Sequence, residues 1–186
     1  MAKFARGGDV GGTNMKGVVL DAKGRTMAEG RALTNANAGR ATVLKNLFEL
    51  IDKILPAAGV TGIAVGTPGF ELNGKIAISP NMPGWTGTPL AALLRRRFGL
   101  PAFVVNDVSA AALGEVRFGA AQGVQNAVFF AVGTGVGGGI VIGGRPYLGT
   151  LGMAGEVGHL TVEFNGRRCG CGHRGCLESY AGALGI

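Results

Sequence analysis

The 186-residue sequence predicts an α/β chain built as two similar lobes. Apolar runs of strand length alternate with helical stripes, the signature of βα units. Two glycine-rich hairpins of one design, D-V-G-G-T at 9–13 and A-V-G-T-G at 131–135, each sit between apolar runs. Glycine occurs 36 times, where average usage of roughly 7% would give about 13. Its clustering between apolar segments argues for tight turns rather than a disordered tract.

In chain order, "FARGGDVGG" is less apolar than a strand leading into such a hairpin should be, which predicts a first strand that begins late or is poorly fixed. The stretch "DVGGTNMKGVVLDAKGRTMAEGRAL" reads as two strands joined by a turn at Ala22-Lys23-Gly24, with glycine and threonine just inside the first. In "ATVLKNLFELIDKILPAAG", Val43, Leu44, Leu47, Leu50, Ile51, Ile54 and Leu55 form one helical stripe ended by Pro56 and Gly59. Next come a short buried strand, "TGIAVGTPG", running into a Gly-Pro turn, and a helix, "PLAALLRRRFG". The stretch "LPAFVVNDVSAAALGEVRFG" is a strand that becomes a helix around Asp107. The second unit opens with "NAVFFAVGTGVGGGIVIGGRPYLG", again two strands around a glycine-rich turn.

No apolar run reaches the ~18 to 20 residues that span a bilayer, and "MAKFARGGDVGG" lacks the long apolar centre of a secretory signal. The expectation is a soluble, cytoplasmic protein with no membrane partner. A formal charge of +7 admits nucleic acid or anionic ligands. The basic residues are dispersed, however, apart from "RRR" at 95–97 and "RR" at 167–168. The first cluster follows "LAALL" and reads as the solvated end of a helix, where the macrodipole favours positive charge.

The first glycine cluster suits phosphate. Gly11 and Gly12 let backbone N–H groups approach a ligand, Thr13 and Asn14 add short polar donors, and Asp9 could hold a magnesium ion near the phosphates. The sequence is neither a Walker A loop nor G-x-G-x-x-G, and a tight structural hairpin is the alternative. Gly133, Thr134 and Gly135 offer the same chemistry. Two such hairpins imply a polyphosphate gripped between lobes, the arrangement phosphoryl transfer requires.

All three cysteines and both histidines fall within residues 158–176, "GHLTVEFNGRRCGCGHRGC". Three cysteines cannot all pair, and a reducing compartment disfavours disulfides. The spacing H-x9-C-x-C-x4-C, from His159, Cys169, Cys171 and Cys176, suits a closed structural zinc site. His173 is an alternative fourth ligand, and reduced cysteines without metal are the rival reading.

D-V-G-G-T, "GTPG" at 66–69, "PNMPGW" at 80–85, "VVNDVSAAALGE", "VGTGVGGGIVIGG" and "GEVGH…CGCGHRGCLES" occur in an order that resembles the ROK family of bacterial sugar kinases and sugar-responsive repressors, above all its glucokinase branch. The resemblance implies an actin/hexokinase-like fold of two ribonuclease-H-like α/β lobes closing on ATP and a hexose. Residues 1–118 would form the N-terminal lobe with the first phosphate hairpin and the catalytic Asp. Residues 119–186 would begin a C-terminal lobe that is incomplete, since the family's second lobe continues past the cysteine segment.

By the same resemblance Asp107 is the general base on the sugar's primary hydroxyl and Asn106 binds a ring hydroxyl. A carboxylate at a strand end facing a glycine loop suits that task, although Asp107 would also make a good N-cap for a helix starting at Val108. Glu156, His159 and Glu178 match the family's remaining sugar contacts, Gly69 and Asn81 the edge of the pocket, and His159 the fourth zinc ligand. The implied cofactors are ATP, Mg2+ and structural Zn2+, and the implied activity is phosphorylation of a hexose at its 6-hydroxyl. Glucose comes first, ahead of N-acetylmannosamine, fructose or allose. A homodimer or higher homo-oligomer is expected by analogy. Nucleic acid is not an expected partner, because a hairpin starting at Asp9 leaves no room ahead of it for a helix-turn-helix domain. Rival readings are a non-enzymatic sugar sensor and an inactive truncated relative.

Overall fold

The computed structural model describes residues 3–54, 59–80, 82–183 and 185. They fall into two compact units, Met1–Asp107 and Val108–Ile186.

In the first unit, β1 (Phe4–Val10), β2 (Asn14–Asp21) and β3 (Thr26–Leu33) form an antiparallel meander. α1 (Arg40–Lys53) leads to β4 (Val60–Thr67), and α2 (Leu90–Phe98) leads to β7 (Ala102–Asn106). Both strands join in parallel, giving the five-stranded order β3-β2-β1-β4-β7. A two-stranded hairpin, β5 (Phe70–Leu72) and β6 (Lys75–Ile78), stands apart from this sheet. The opening segment therefore contributes three strands where the sequence pattern suggested two, and the glycines at 11 and 12 form the turn between β1 and β2. The turn at 22–24 lies where the sequence placed it, with the Asp21 carboxylate accepting the N–H groups of Lys23 and Arg25 at 2.9 Å each.

β1 starts at Phe4 rather than late, and the reason is tertiary. Arg6 is only 5% exposed, with its guanidinium 6.0 Å from the centre of the Phe98 ring. Burial lowers its pKa, and Asp52 opposes that shift. A charged residue thus occupies a core-facing position that hydropathy assigns to solvent.

The core of this unit is α1 against the sheet. Val43, Leu47, Leu50 and Ile51 from the helix, followed by Ile54, pack on Val10, Met15, Val19, Ile63 and Val65. Burying each such side chain stabilises the fold by roughly 1.5–3 kcal/mol. Leu44 is only partly buried, and Leu55 and Pro56 of the expected stripe and stop lie outside the described residues. Gly17 and Gly30 face each other across β2 and β3, and a Cβ on either would fall 2.7 or 2.6 Å from the Ile54 side chain, so their bareness lets the end of α1 settle on the sheet. In α2, Arg95 donates to the Ala102 carbonyl at 2.9 Å and Arg97 pairs with Asp52 at 2.5 Å. The triple arginine is accordingly a helix end.

The second unit repeats the opening. β8 (Ala127–Val132), β9 (Val136–Ile142) and β10 (Arg145–Pro146) form an antiparallel sheet of order β10-β9-β8. Against it lies α3 (Asp107–Phe118), with Ala112 and Val116 packed on Val141. The glycines at 137–139 are strand residues, and side-chain alternation explains all three. A Cβ on Gly137 or Gly139 would meet Val108 at 2.7 Å or Ala112 at 2.5 Å, whereas one on Gly138 would strike Val157 from the other face. They serve close packing on both sides of β9, and the loop proper is Gly133–Gly135. The chain then runs without a long element, through a 3-10 turn at Val157–His159, to the short α4 (Glu178–Ala181).

Among the described residues no helix is long and apolar enough to cross a membrane.

Candidate functional site

In open α/β sheets, ligands gather beyond the carboxyl ends of the parallel strands, and the first unit places several of the sequence-derived candidates there. Asp9, at the end of β1, is in register with Gly66 of β4, and Thr67 of β4 with Asn106 of β7. Asp107 follows directly as the first residue of α3. Partial burial, and secondarily the charge of Asp107, raise the Asp9 pKa from its ordinary value, against a lowering pull from Lys16. Asn106 Nδ2 donates to the Gly69 carbonyl at 3.3 Å, which fixes its amide against the "GTPG" turn.

That turn is anchored from behind. Trp85, fully buried, donates its indole N–H to Thr67 Oγ1 at 2.9 Å, and Ser79 Oγ donates to the Pro68 carbonyl at 3.1 Å. Ser79 and Trp85 thus hold the turn, a role no local pattern announces. Asn81, expected at the pocket edge, lies outside the described residues.

The Gly11–Asn14 loop closes on itself through Gly11 N–H to the Asn14 carbonyl, 3.0 Å. Thr34, at 0% exposure, grips it from the residue after β3: its hydroxyl donates to the Gly11 carbonyl at 2.6 Å and its N–H to the Thr13 carbonyl at 2.9 Å. In a trans peptide the C=O and the following N–H point in opposite directions. Tying down the Gly11 carbonyl therefore turns the Gly12 N–H outward. The N–H groups of Gly12 and Thr13 carry no hydrogen bond among the described residues. Both residues line an open cavity of about 630 Å3 with Asn35 and Asn37. Thr34 carries no distinctive signal in the sequence, since a lone threonine following a strand is common.

The second unit handles its loop in the same way. The Gly133 carbonyl accepts the Ala183 N–H at 2.8 Å, which turns the Thr134 N–H outward. Glu178 fixes the far side: one carboxylate oxygen accepts the Val136 N–H at 3.0 Å, and the other lies 4.0 Å from Cys169 Sγ. The residue expected to contact sugar thus bridges the glycine loop and the cysteine segment.

His159, Cys169, Cys171 and Cys176 bring four ligand atoms within 4.8 Å of one another. Cys171 Sγ and Cys176 Sγ are 3.7 Å apart, as are Cys169 Sγ and His159 Nδ1. A disulfide needs about 2.05 Å, whereas a tetrahedral ion at ~2.3 Å from thiolates separates the sulfurs by about 3.8 Å. The donor set and its edges fit such an ion. Burial alone would raise the Cys169 thiol, but the Cys171 N–H and hydrogen bonds with Cys171, Ser179 and Cys176 bring it down to about 7. Burial, reinforced by the neighbouring sulfurs, pushes Cys176 up to about 12.

His159 turns Nδ1 toward sulfur and Nε2 toward Glu156, whose Oε2 is 3.7 Å away. His173 is exposed and stands outside the cluster, contributing only its carbonyl, which accepts the Cys169 N–H at 2.9 Å. Arg167 clasps the segment to the end of α4, with its N–H donated to Tyr180 Oη at 2.7 Å and its guanidinium 4.9 Å from the centre of that ring.

A meander extended by parallel strands, glycine loops with outward N–H groups and an aspartate at a strand end define a chain of the actin-like ATPase fold. The ROK family model matches residues 6–186, and the chain belongs to the ROK family. The glucokinase of Halalkalibacterium halodurans is 42% identical over 188 residues, covering 97% of this chain and 57% of its own. The xylose repressor of Bacillus spizizenii is 34% identical over 185 residues, covering 97% of this chain and 48% of its own. The crystal structure of a ROK family glucokinase from Streptomyces griseus, in complex with glucose and AMPPNP, superposes with a TM-score of 0.85 at 34% identity. It covers 98% of this chain and 58% of that one. The chain spans about half the length of the curated relatives it matches, and the family holds both sugar kinases and repressors.

Proposed function

We propose that the protein transfers the γ-phosphoryl group of ATP to the primary 6-hydroxyl of a hexose, glucose foremost. The observation that carries this reading is Asp107 directly after β7, in the same unit as a glycine loop whose Gly12 N–H is turned outward and whose Thr13 N–H carries no hydrogen bond among the described residues. Asp107 accepts the hydroxyl proton as the oxygen attacks phosphorus, and Asn106, held by Gly69, binds a ring hydroxyl. The N–H groups of Gly12, Thr13 and Thr134 receive phosphate oxygens, a task for which fixed backbone dipoles need no reorganisation. Asp9, a carboxylate beside that loop, suits a hard cation through water, and Mg2+ would there neutralise phosphate charge. Similarity to glucokinases supports the reading.

Glu156 and His159 take sugar hydroxyls. The Cys3His cluster holds structural zinc through His159, Cys169, Cys171 and Cys176, and Glu178 carries that rigidity to Val136 and the second loop. No ligand position is left for water, so the ion's part is to fix the segment.

Similarity to xylose repressors favours a second reading, sugar sensing without transfer. Sugar-dependent ADP release, measured on the full-length protein beside calorimetric glucose binding, separates the two. Turnover that disappears in Asp107→Asn with glucose binding retained supports the kinase, and retained turnover removes Asp107 as the base. Binding without turnover in the unsubstituted protein selects the sensor.

A further inference from the structure

A cleft of about 490 Å3 opens in the second unit beside the last turn of α3, the loop at 122–125 and the turn joining β9 to β10. Its charged and amide side chains are Arg117, Gln122, Gln125 and Arg145, and no carboxylate lines it. Arg117 is held in place, with Nη2 donating to the Gly144 carbonyl at 3.2 Å while its own carbonyl accepts Gln122 Nε2 at 3.4 Å. The acid closest to it in sequence, Glu115, is engaged elsewhere, accepting the Ala120 N–H at 2.8 Å. Among the described residues neither Arg117 nor Arg145 has a carboxylate partner.

Two exposed arginines without a carboxylate partner therefore line one cleft. Each guanidinium offers five N–H donors in a planar fork and no acceptor. Two such side chains on one cleft suit a compact dianion, which can satisfy both charges and several donors at once. This place is not the glycine loop. Gly133–Gly135 lies at the opposite end of β9, whose seven residues span about 23 Å at ~3.3 Å each.

We propose that this cleft binds a phosphate group, free or borne by a small phosphomonoester, at a site separate from the proposed transfer chemistry. Its volume exceeds what a bare phosphate fills and lies within the range of small-molecule sites. Arg145, on the turn, supplies the second charge, and Arg117 the pre-positioned fork.

The test is an NMR titration of the full-length, 15N-labelled protein with inorganic phosphate and, separately, with glycerol 3-phosphate, ionic strength being held constant with sodium chloride. The amide resonances of Gly123, Gly143, Gly144 and Arg145 should shift saturably. Arg145→Gln should weaken that isotherm about tenfold, the effect of removing one charge-assisted contact, while leaving the response of Gly12 and Thr134 unchanged. Arg145→Lys, which keeps the charge and loses the fork, should fall in between. Tighter binding of glycerol 3-phosphate identifies a phosphomonoester as the occupant, and equal binding identifies free phosphate. Cleft resonances that do not saturate, that answer chloride equally, or that titrate in Arg145→Gln as in the parent overturn the proposal.

Discussion

Thr34→Val tests the reasoning about the first glycine loop most directly. Valine keeps the shape and burial of Thr34 and deletes one donor, so the 2.6 Å bond to the Gly11 carbonyl is lost with little change in packing. Leaving that acceptor without its partner should lower stability by about 1–3 kcal/mol. The Thr34 N–H bond to the Thr13 carbonyl, 2.9 Å, survives, so the loop should stay folded while the Gly11–Gly12 peptide gains freedom to rotate. An N–H that must be oriented on binding gives up part of a charge-assisted bond worth roughly 1.5–3 kcal/mol; a loss of about half corresponds to about 3- to 10-fold in nucleotide affinity. Thr34→Ser retains the hydroxyl and should stay within about threefold of the parent. Calorimetric titration with Mg·AMPPNP reads the affinity, and urea unfolding reads the stability. Parent-like affinity in Thr34→Val, or equal losses in the valine and serine variants, would refute the argument.

Gly30→Ala should destabilise the protein by about 1–3 kcal/mol in urea unfolding, because the new methyl meets Ile54 at 2.6 Å and forces repacking. A change under about 0.5 kcal/mol would mean that the end of α1 is not seated there. One zinc ion per chain is expected by elemental analysis of the full-length protein; Cys176→Ala should abolish it, and chelation should lower the melting temperature. Asp9→Asn should stabilise the protein at neutral pH. Its folded-state pKa is raised, so the folded form holds the proton more tightly than the unfolded form. The resulting stability is present below the unfolded pKa, near 3.9, and is lost as pH rises through the folded value. The gain over the parent should therefore vanish in acid, and an advantage unaffected by pH would show that ionisation of Asp9 is not its source.

Local signals carried much of the fold. The α1 stripe, the helix end at Arg95–Arg97, the strand turning into a helix at Asp107 and the repeated hairpin were legible because each follows from side-chain periodicity or from a turn residue within a few positions. Composition misled at β1, where Arg6 reads as surface and is buried against Phe98. It also merged two kinds of glycine, since the residues at 133–135 make a loop and those at 137–139 bare a strand for packing. In the candidate site, spacing grouped the cysteines with a histidine but could not choose between His159 and His173. The structure gathers the former because the 3-10 turn at Val157–His159 returns to the cysteine loop.

By itself the sequence marked most of the strands and helices, though not the start of β1 or the β5–β6 hairpin, and it marked residues whose chemistry suits phosphate, sugar or metal, because these depend on neighbours along the chain. Tertiary structure alone decided that Thr34 turns the Gly12 N–H outward, that Trp85 anchors Thr67, that Glu178 joins the cysteine segment to Val136 and that Arg117 and Arg145 share a cleft. Each of these pairings joins residues from different elements. Only the packing of strands and helices fixes such distances, and a hydrogen bond or a field between charges exists only once they are fixed.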